Sequence, residues 1–194
     1  MAAAPVLSLG LRAKSGRAIA VALRGPVGSP AVLWRGELTF CSPDRRQPYH
    51  PFLDLPWLET VAAVRPIARE IEVAAAAALG ELLAARRAEG MAVERAGIVG
   101  AARRDPGRIA NPHIRAHAAE GVLFRAVLEA AAEANGLASV AFPERDLHGI
   151  AARHLGIPAP DLARRLTALG RAVGSPWRAD EKAAALAGWM VLAG

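Results

Sequence analysis

The chain has 194 residues, of which 53% are hydrophobic and 22% are charged. This length can bury one sizeable core, whereas two domains would each be marginal, so the sequence predicts a single domain, 1–194. The composition is that of ordinary globular proteins and excludes wholesale disorder. The formal net charge of +6 favours anionic partners such as nucleotides or nucleic acid.

The sequence also bears on compartment and on covalent cross-links. No apolar run approaches the roughly 20 residues that cross a bilayer, and the first residues lack the charged and apolar regions of a secretion signal. The single cysteine, Cys41, excludes an internal disulfide and a thiol metal cluster. We therefore expect a cytoplasmic protein with no membrane partner, in which Cys41 packs at the end of a strand.

Lysine is rare among the basic residues. Of the 24 Lys and Arg residues only Lys14 and Lys182 are lysines. This ratio indicates a GC-rich genome, in which codon bias favours arginine and accounts for part of the positive charge. The two lysines are therefore candidates for positions at which a compact ammonium group matters.

The first forty residues predict an antiparallel meander. Short turns separate three apolar segments, and short turns join antiparallel neighbours. The predicted strands are Val6–Leu11, Ala18–Leu23 and Val32–Phe40. The next segment, Cys41–Pro56, is rich in proline and charge and is predicted to be an exposed loop, long enough to suggest a functional role.

The rest of the chain predicts helices alternating with strands. Helical periodicity from Leu58 to Arg87 predicts a long helix that Pro66 opens or kinks. Asn111 followed by Pro112 is a favoured helix start, and that helix is predicted to run to about Glu133. The remaining predicted elements are the strands Arg95–Ala101 and Leu137–Phe142 and the helices Asp146–Leu155, Asp161–Val173 and Arg178–Leu192.

This order, β-β-β-α-β-α-β-α, describes an α/β protein and resembles the ribonuclease H-like fold. The second half, from Ala116 to Leu192, is similar to the RuvC family of Holliday-junction resolvases. Its long helix, its strand, a small helical insertion and the closing segment Ala179–Ala187 follow the family's order. The shared residues are mostly small and apolar around one acidic cluster.

The resemblance implies a two-metal nuclease site, but the sequence does not supply its ligands. Such a site needs several carboxylates around a Mg²⁺ pair. The position that matches the family's first-strand aspartate is Arg12, and the central strand has no acid within Gly97–Gly100. Only Asp180 or Glu181 remains at the last helix. We therefore expect no conventional nuclease site.

Basic and polar residues follow the first strand instead, namely Arg12, Lys14, Ser15 and Gly16. In actin-like and sugar-kinase relatives of this fold, the corresponding turn binds phosphate. Glycine lets the backbone approach an anion, and lysine and serine supply donors. An ordinary hairpin turn is the alternative. Because the last helix abuts the first strand in this fold, we expect Lys182 to lie near Lys14.

The densest polar cluster spans 111–121. His113, His117 and Glu120 have the spacing i, i+4, i+7 and share one helix face. This spacing suits a metal ion, an acid–base pair with an orienting carboxylate, or a solvated structural face, and we assign no metal ligand from it. The helix start, where Arg115 lies, attracts anions.

Two further groups are weaker candidates. In the loop Cys41–Pro56, the residues Gln47, Tyr49 and His50 form either a lid over the cleft or a proline-ordered surface segment. Glu144-Arg145-Asp146 follows a strand end, a common site position in α/β sheets, although a helix cap by Asp146 explains this acid equally well.

Three functions remain open. The first is a cleft that binds a phosphate-bearing or other anionic ligand, small molecule or nucleic acid, through Arg12, Lys14, Ser15, Gly16, His113, Arg115 and Lys182. The second is a nuclease or phosphohydrolase with Mg²⁺ as its cofactor and rearranged acids, in which Glu70 or Glu72 joins the candidate catalytic residues His117, Glu120 and Asp180. The third is a structural or adaptor protein. A homodimer is compatible with each.

Overall fold

Five strands form one mixed sheet in the computed structural model, which describes residues 7–193. In chain order they are β1 (Leu7–Lys14), β2 (Arg17–Arg24), β3 (Ala31–Thr39), β4 (Val93–Gly100) and β5 (Ala138–Pro143). Their order across the sheet is β3-β2-β1-β4-β5. The first three strands are antiparallel, whereas β4 and β5 run parallel to β1. The predicted meander is confirmed; Val6, its first predicted residue, lies outside the described residues.

Five helices cover the two faces of the sheet. They are α1 (Trp57–Ala88), α2 (Pro112–Ala134), α3 (Leu147–Leu155), α4 (Ala159–Val173) and α5 (Ala179–Leu192). Helices α1 and α2 pack on one face, and α3, α4 and α5 contribute to a second core on the other. The predicted α/β element order is confirmed. Among residues 7–193, none of the helices combines the length and apolar character that a membrane span requires.

The largest differences from the predicted elements lie in β1 and α1. Strand β1 extends to Lys14 because a two-residue turn lets Lys14 pair with Arg17. Helix α1 is continuous through Pro66, which is its tenth residue, so the prediction that Pro66 opens the helix is wrong. The side chain of Asn111 caps α2 by accepting from Ile114 N at 3.0 Å, as predicted.

Alternation along β1 sets the position of α5. Leu9 and Leu11 belong to the core beneath α1 and α2, whereas Gly10 faces the opposite side. A Cβ atom added to Gly10 would lie 1.7 Å from the carbonyl oxygen of Ala184 in α5. Gly97 on β4 is covered by α5 in the same way. Helix α5 therefore lies directly on the backbone of the two central strands.

The carboxyl ends of β1, β4 and β5 lie at one edge of the sheet, because these strands are parallel. The segment after β4 leads to the start of α2, and α5 begins beside the end of β1, where Asp180 meets Lys14. Ligands in α/β sheets commonly bind outside the carboxyl ends of the strands. Cys41 is buried just after β3, as expected, and burial raises the pKa of its thiol.

Candidate functional site

The end of β1 carries a cluster of ion pairs centred on Arg12, which we call the arginine cluster. The Arg12 residue is only 7% exposed. Its guanidinium donates to Glu144 and to the carbonyl of Ala13, and its Nε lies 3.5 Å from Asp180 Oδ1. Lys14 Nζ lies 3.2 Å from Asp180 Oδ2. Two cations and two carboxylates thus balance each other.

Three separate elements supply this cluster. Arg12 and Lys14 share the strand face of Gly10, so both point to the side on which α5 lies. Asp180 is in the first turn of α5, where the helix dipole favours an acid. Glu144 directly follows β5. Side chains from β1, α5 and the end of β5 therefore meet with opposite charges paired.

The arginine cluster does not fit a Mg²⁺ pair. Magnesium needs oxygen ligands, and a guanidinium offers only N–H donors. Here the two carboxylates that face the end of β1 accept from Arg12 and Lys14, and both cations repel a metal ion. The donor set at this edge is that of a closed ion-pair network.

The rearranged set of acids is not assembled as predicted. Glu70 pairs with Arg45 of the loop and Glu72 pairs with Arg69 of α1, and neither acid lines the cleft at the strand ends. Glu144 lines that cleft instead. Asp146 is the N-cap residue of α3, as the alternative explanation of this acid has it, but its side chain makes no cap hydrogen bond.

A second group, the histidine cluster, lies on α2 and the preceding loop. His113 Nε2 and His117 Nε2 are 3.1 Å apart. The His50 ring packs edge-on against both, with centroids 5.1 and 4.5 Å away. Glu120 lies behind them: its Oε1 is 2.7 Å from His50 Nδ1, and its Oε2 is 3.7 Å from His117 Nδ1. The structure brings His113, His117 and Glu120 together, as their spacing predicts.

Glu120 connects the histidine cluster to the loop. Its residue is 3% exposed, and a carboxylate so buried needs polar partners. The backbone N–H of Tyr49 donates to it at 3.3 Å, in addition to the His50 contact. Burial and, to a smaller extent, the Glu120 charge raise the pKa of Tyr49.

The loop is not exposed throughout, so that prediction is wrong for the segment 48–50. Pro48 is buried, and Tyr49 and His50 are partly buried against α2, whereas Gln47 is exposed. Tyr49 also stacks on Trp57, with ring centroids 5.8 Å apart. The two contacts to Glu120 hold this segment against the start of α2, next to the cleft.

Two cavities adjoin at this edge of the sheet. The smaller has a volume of about 220 Å³ and is lined by residues from both clusters, including Lys14, Ser15, His117, Glu120 and Glu144. The larger, about 430 Å³, shares Ala101 and Glu144 with it and includes Arg104 and Arg145 in its wall. Both arginines are exposed, and within 7–193 neither forms an ion pair.

Three residues predicted to bind a ligand do not line the cleft at the strand ends, and two of them have structural roles. Gly16 has φ +72°, and a Cβ there would lie 2.6 Å from Cys41 Cβ, so this glycine serves a hairpin turn packed on the protein. The guanidinium of Arg115 lies 5.4 Å from the centroid of Trp57 and donates to Ile109 O. Neither residue lines the cleft at the strand ends.

The third is Lys182. Asp180, two residues earlier, is the α5 residue that contacts Lys14. Lys182 is not among the residues that line the cleft beside Lys14. That the two lysines flank one cleft stays a prediction.

The sequence does not predict the roles of two residues in these clusters. Glu144 meets Arg12 across 132 positions, and His50 meets Glu120 across 70. The available signals were a strand-end acid and a histidine in a long loop. Neither feature predicts which residue the side chain contacts, because that contact depends on how the sheet, the loop and α2 pack.

Comparison with known proteins connects this architecture to one fold. No protein-family model and no curated protein matches the sequence. The chain is similar to the structure of Thermus thermophilus RuvC in complex with a Holliday junction substrate, with a TM-score of 0.53 and 12% identity over 95% of this chain and 91% of that one. A second Thermus thermophilus RuvC structure has a TM-score of 0.54 and 12% identity, covering 95% and 92%. The chain therefore has the ribonuclease H-like fold seen in RuvC, as its element order indicated.

Proposed function

We propose that this chain is a nucleic-acid-binding protein of the ribonuclease H-like fold, with cationic side chains that contact phosphates and without a conventional two-metal nuclease site. The observation that carries the proposal is the arginine cluster, in which Arg12 binds both Glu144 and Asp180. Where RuvC-like nucleases need a metal-binding acid, this chain has a buried cation. The same edge of the sheet presents further cations.

The first step of the argument concerns metal ions. For Glu144 and Asp180 to bind Mg²⁺, Arg12 would have to give up both partners. The Arg12 residue is only 7% exposed, and a buried charge that loses its partners is strongly destabilising. The closed cluster therefore favours the loss of conventional nuclease chemistry.

The second step concerns anions. Arg104 and Arg145 line the larger cavity and have no acidic partner in the described part of the chain. An unpaired guanidinium is well suited to bidentate contact with phosphate. Lys14 and Ser15 line the adjoining cavity, so donors extend along the edge. An extended row of donors suits a polymer of phosphates better than one small anion.

The third step is the comparison. A protein of the same fold, RuvC, has been seen in complex with a Holliday junction substrate. The net charge of +6 gives this chain the long-range attraction that a polyanion needs. Both observations favour nucleic acid over a small phosphate ligand.

The direct test is fluorescence anisotropy with labelled single-stranded DNA, duplex DNA, RNA and a four-way junction, each titrated in EDTA at several salt concentrations. We expect binding that weakens steeply with salt. We expect the double variant Arg104→Ala/Arg145→Ala to reduce the slope of log K against log salt by about 1.5 to 2, at close to one unit per lost phosphate contact.

The matched control is Arg24→Ala/Arg87→Ala, which removes the same charge from exposed arginines at the other edge of the sheet. This control should change the slope far less. Equal losses in both variants would mean that only net charge matters, and would contradict a phosphate-binding edge. Competition by mononucleotides at equal phosphate concentration would favour a small-molecule ligand. DNA cleavage in Mg²⁺ that Glu144→Gln abolishes would overturn the nuclease part of the proposal.

A further inference from the structure

We propose that His50, His113 and His117 form a binding site for Zn²⁺, in which Glu120 orients the ligands from behind. Each of these histidines offers a ring nitrogen, and the three ligand atoms lie within 4.8 Å of one another. The site is separate from the arginine cluster, and the inference does not depend on nucleic-acid binding.

The distances suit a tetrahedral ion. Zinc binds imidazole nitrogen at about 2.0–2.1 Å, which places two nitrogens of a tetrahedral site about 3.3–3.4 Å apart. His113 Nε2 and His117 Nε2 are 3.1 Å apart. They occupy positions i and i+4 of α2, so the helix itself holds this pair at nearly the distance that zinc requires.

The position of Glu120 determines which nitrogen of His50 is free. Its carboxylate accepts from His50 Nδ1 at 2.7 Å, which places the proton there and leaves the lone pair on Nε2. Among residues 7–193, this buried Nε2 has no hydrogen-bond partner. Glu120 also lies on the Nδ1 side of His117. A carboxylate behind a histidine is the usual second partner of a zinc ligand.

A metal-free interpretation explains less. Two imidazoles 3.1 Å apart can share one hydrogen bond, which would account for His113 and His117 alone. That bond leaves His50 Nε2 unpaired in a buried position. A cation bound by all three rings satisfies this atom as well, and the negative charge of Glu120 compensates part of the added charge.

The donor set selects the type of ion. Imidazole favours zinc and similar transition metals over Mg²⁺, which prefers oxygen. Three protein ligands leave the fourth position of a tetrahedral ion to water or to a ligand oxygen. His117 also lines the smaller cavity, so the bound ion would border the cleft. It would also join the loop at His50 to α2.

Isothermal titration of the tag-free, chelator-stripped full chain with ZnCl₂ tests the proposal, with Co²⁺ absorption as a report on coordination. We expect one Zn²⁺ per chain and a visible spectrum typical of four-coordinate Co²⁺. His50→Ala, His113→Ala and His117→Ala should each weaken binding on the order of tenfold or more. Glu120→Gln should weaken it by about 10–100-fold.

The control is His148→Ala, which removes an exposed histidine of α3 outside the cluster and should leave zinc affinity unchanged. His113 and His117 are exposed, so their variants should keep the wild-type circular dichroism in chelator and separate lost binding from lost folding. Unchanged Zn²⁺ affinity in His50→Ala would mean that only His113 and His117 bind the ion, and would overturn the proposal. Failure of the wild-type chain to bind Zn²⁺ and Co²⁺ would also overturn it.

Discussion

The arginine cluster and the histidine cluster lie side by side at one edge of the sheet, and their carboxylates have different partners. Around Arg12, both carboxylates are paired with cations. On α2, the buried carboxylate of Glu120 contacts His50 and His117, and one ring nitrogen each of His50, His113 and His117 lies within 4.8 Å of the others. In the first cluster the acids are paired with cationic side chains, whereas the second has the geometry on which the proposed Zn²⁺ site rests.

Both clusters contain acids, and they differ in the groups that pair with those acids. Glu144 and Asp180 are acids whose partners are arginine and lysine, while the partners of Glu120 are a backbone N–H and the His50 imidazole. What matters is whether the surrounding donors already supply the positive charge. The following experiments test this distinction.

The largest effect should come from removing both acids of the arginine cluster. Glu144→Gln/Asp180→Asn leaves the nearly buried Arg12 without a negative partner. We expect a loss of about 2–3 kcal/mol in the free energy of unfolding. Both acids are partly exposed, which keeps the loss below that of a fully buried pair. Urea unfolding measures it. Asp161→Asn, which breaks an exposed pair on α4, should change stability by less than about 0.5 kcal/mol.

The next largest effect should follow Arg12→Asp, which turns the closed cluster into three adjacent carboxylates. We expect this variant to be destabilised in EDTA by like-charge repulsion and to recover with Mg²⁺. At a Mg²⁺ concentration ten times its dissociation constant, the gain is about 1.4 kcal/mol. Thermal unfolding with and without Mg²⁺ measures it. Arg12→Met adds no acid, so Mg²⁺ should stabilise this variant less. Equal stabilisation of the wild-type chain by Mg²⁺ would contradict the closed cluster.

A smaller effect should appear in the titration of Tyr49, the only tyrosine of the chain. Burial is the main cause of its raised pKa, and the Glu120 charge adds to it. Glu120→Gln should therefore lower the pKa of Tyr49 only part of the way to the ordinary value. Tyrosinate absorbance at alkaline pH reports this directly. No change in Glu120→Gln would show that the Glu120 charge does not reach the ring.

The same tyrosine gives a pH dependence of stability. A raised pKa means that the folded chain retains the proton of Tyr49 where the unfolded chain has lost it. The stabilisation is full below the ordinary tyrosine pKa, and it is lost as pH rises through the folded value. Tyr49→Phe should therefore reduce the loss of stability above about pH 10. Chemical unfolding at several alkaline pH values measures this difference.

The smallest effects should distinguish the two lysines. Lys14 pairs with Asp180 and lines the smaller cavity, whereas Lys182 does not line that cavity. Lys14→Ala should cost about 0.5 kcal/mol of stability and weaken DNA binding by a few fold. Lys182→Ala should change neither. Anisotropy and urea unfolding of both variants measure the contrast, and equal effects on DNA binding would place Lys182 at the edge after all.

The sequence predicted the fold better than the site. The meander, the long helix and the Asn111–Pro112 helix start depend on local patterns of turns, periodicity and caps, and the structure shows them all. The shared face of His113, His117 and Glu120 also follows from helix geometry alone. These features need no knowledge of distant contacts.

The site depended on information that local patterns do not contain. Lys182 was placed beside Lys14 because α5 was expected to abut β1, which it does, but the rotation of α5 about its axis brings Asp180 to that position. Glu144 and His50 acquire their roles only from partners far away in sequence. The rotation of a helix and the approach of a loop are results of packing, so the pattern of either segment alone cannot supply them.

The contact of α5 with Gly10 and Gly97 has a consequence for redesign. Because the helix rests on strand backbone, its height above the sheet is fixed by atoms that no side-chain substitution at the strand ends alters. The charged residues lie beyond this contact, at the rim. Substitutions of these charged residues should therefore leave the spacing between α5 and the sheet unchanged, even where they lower stability.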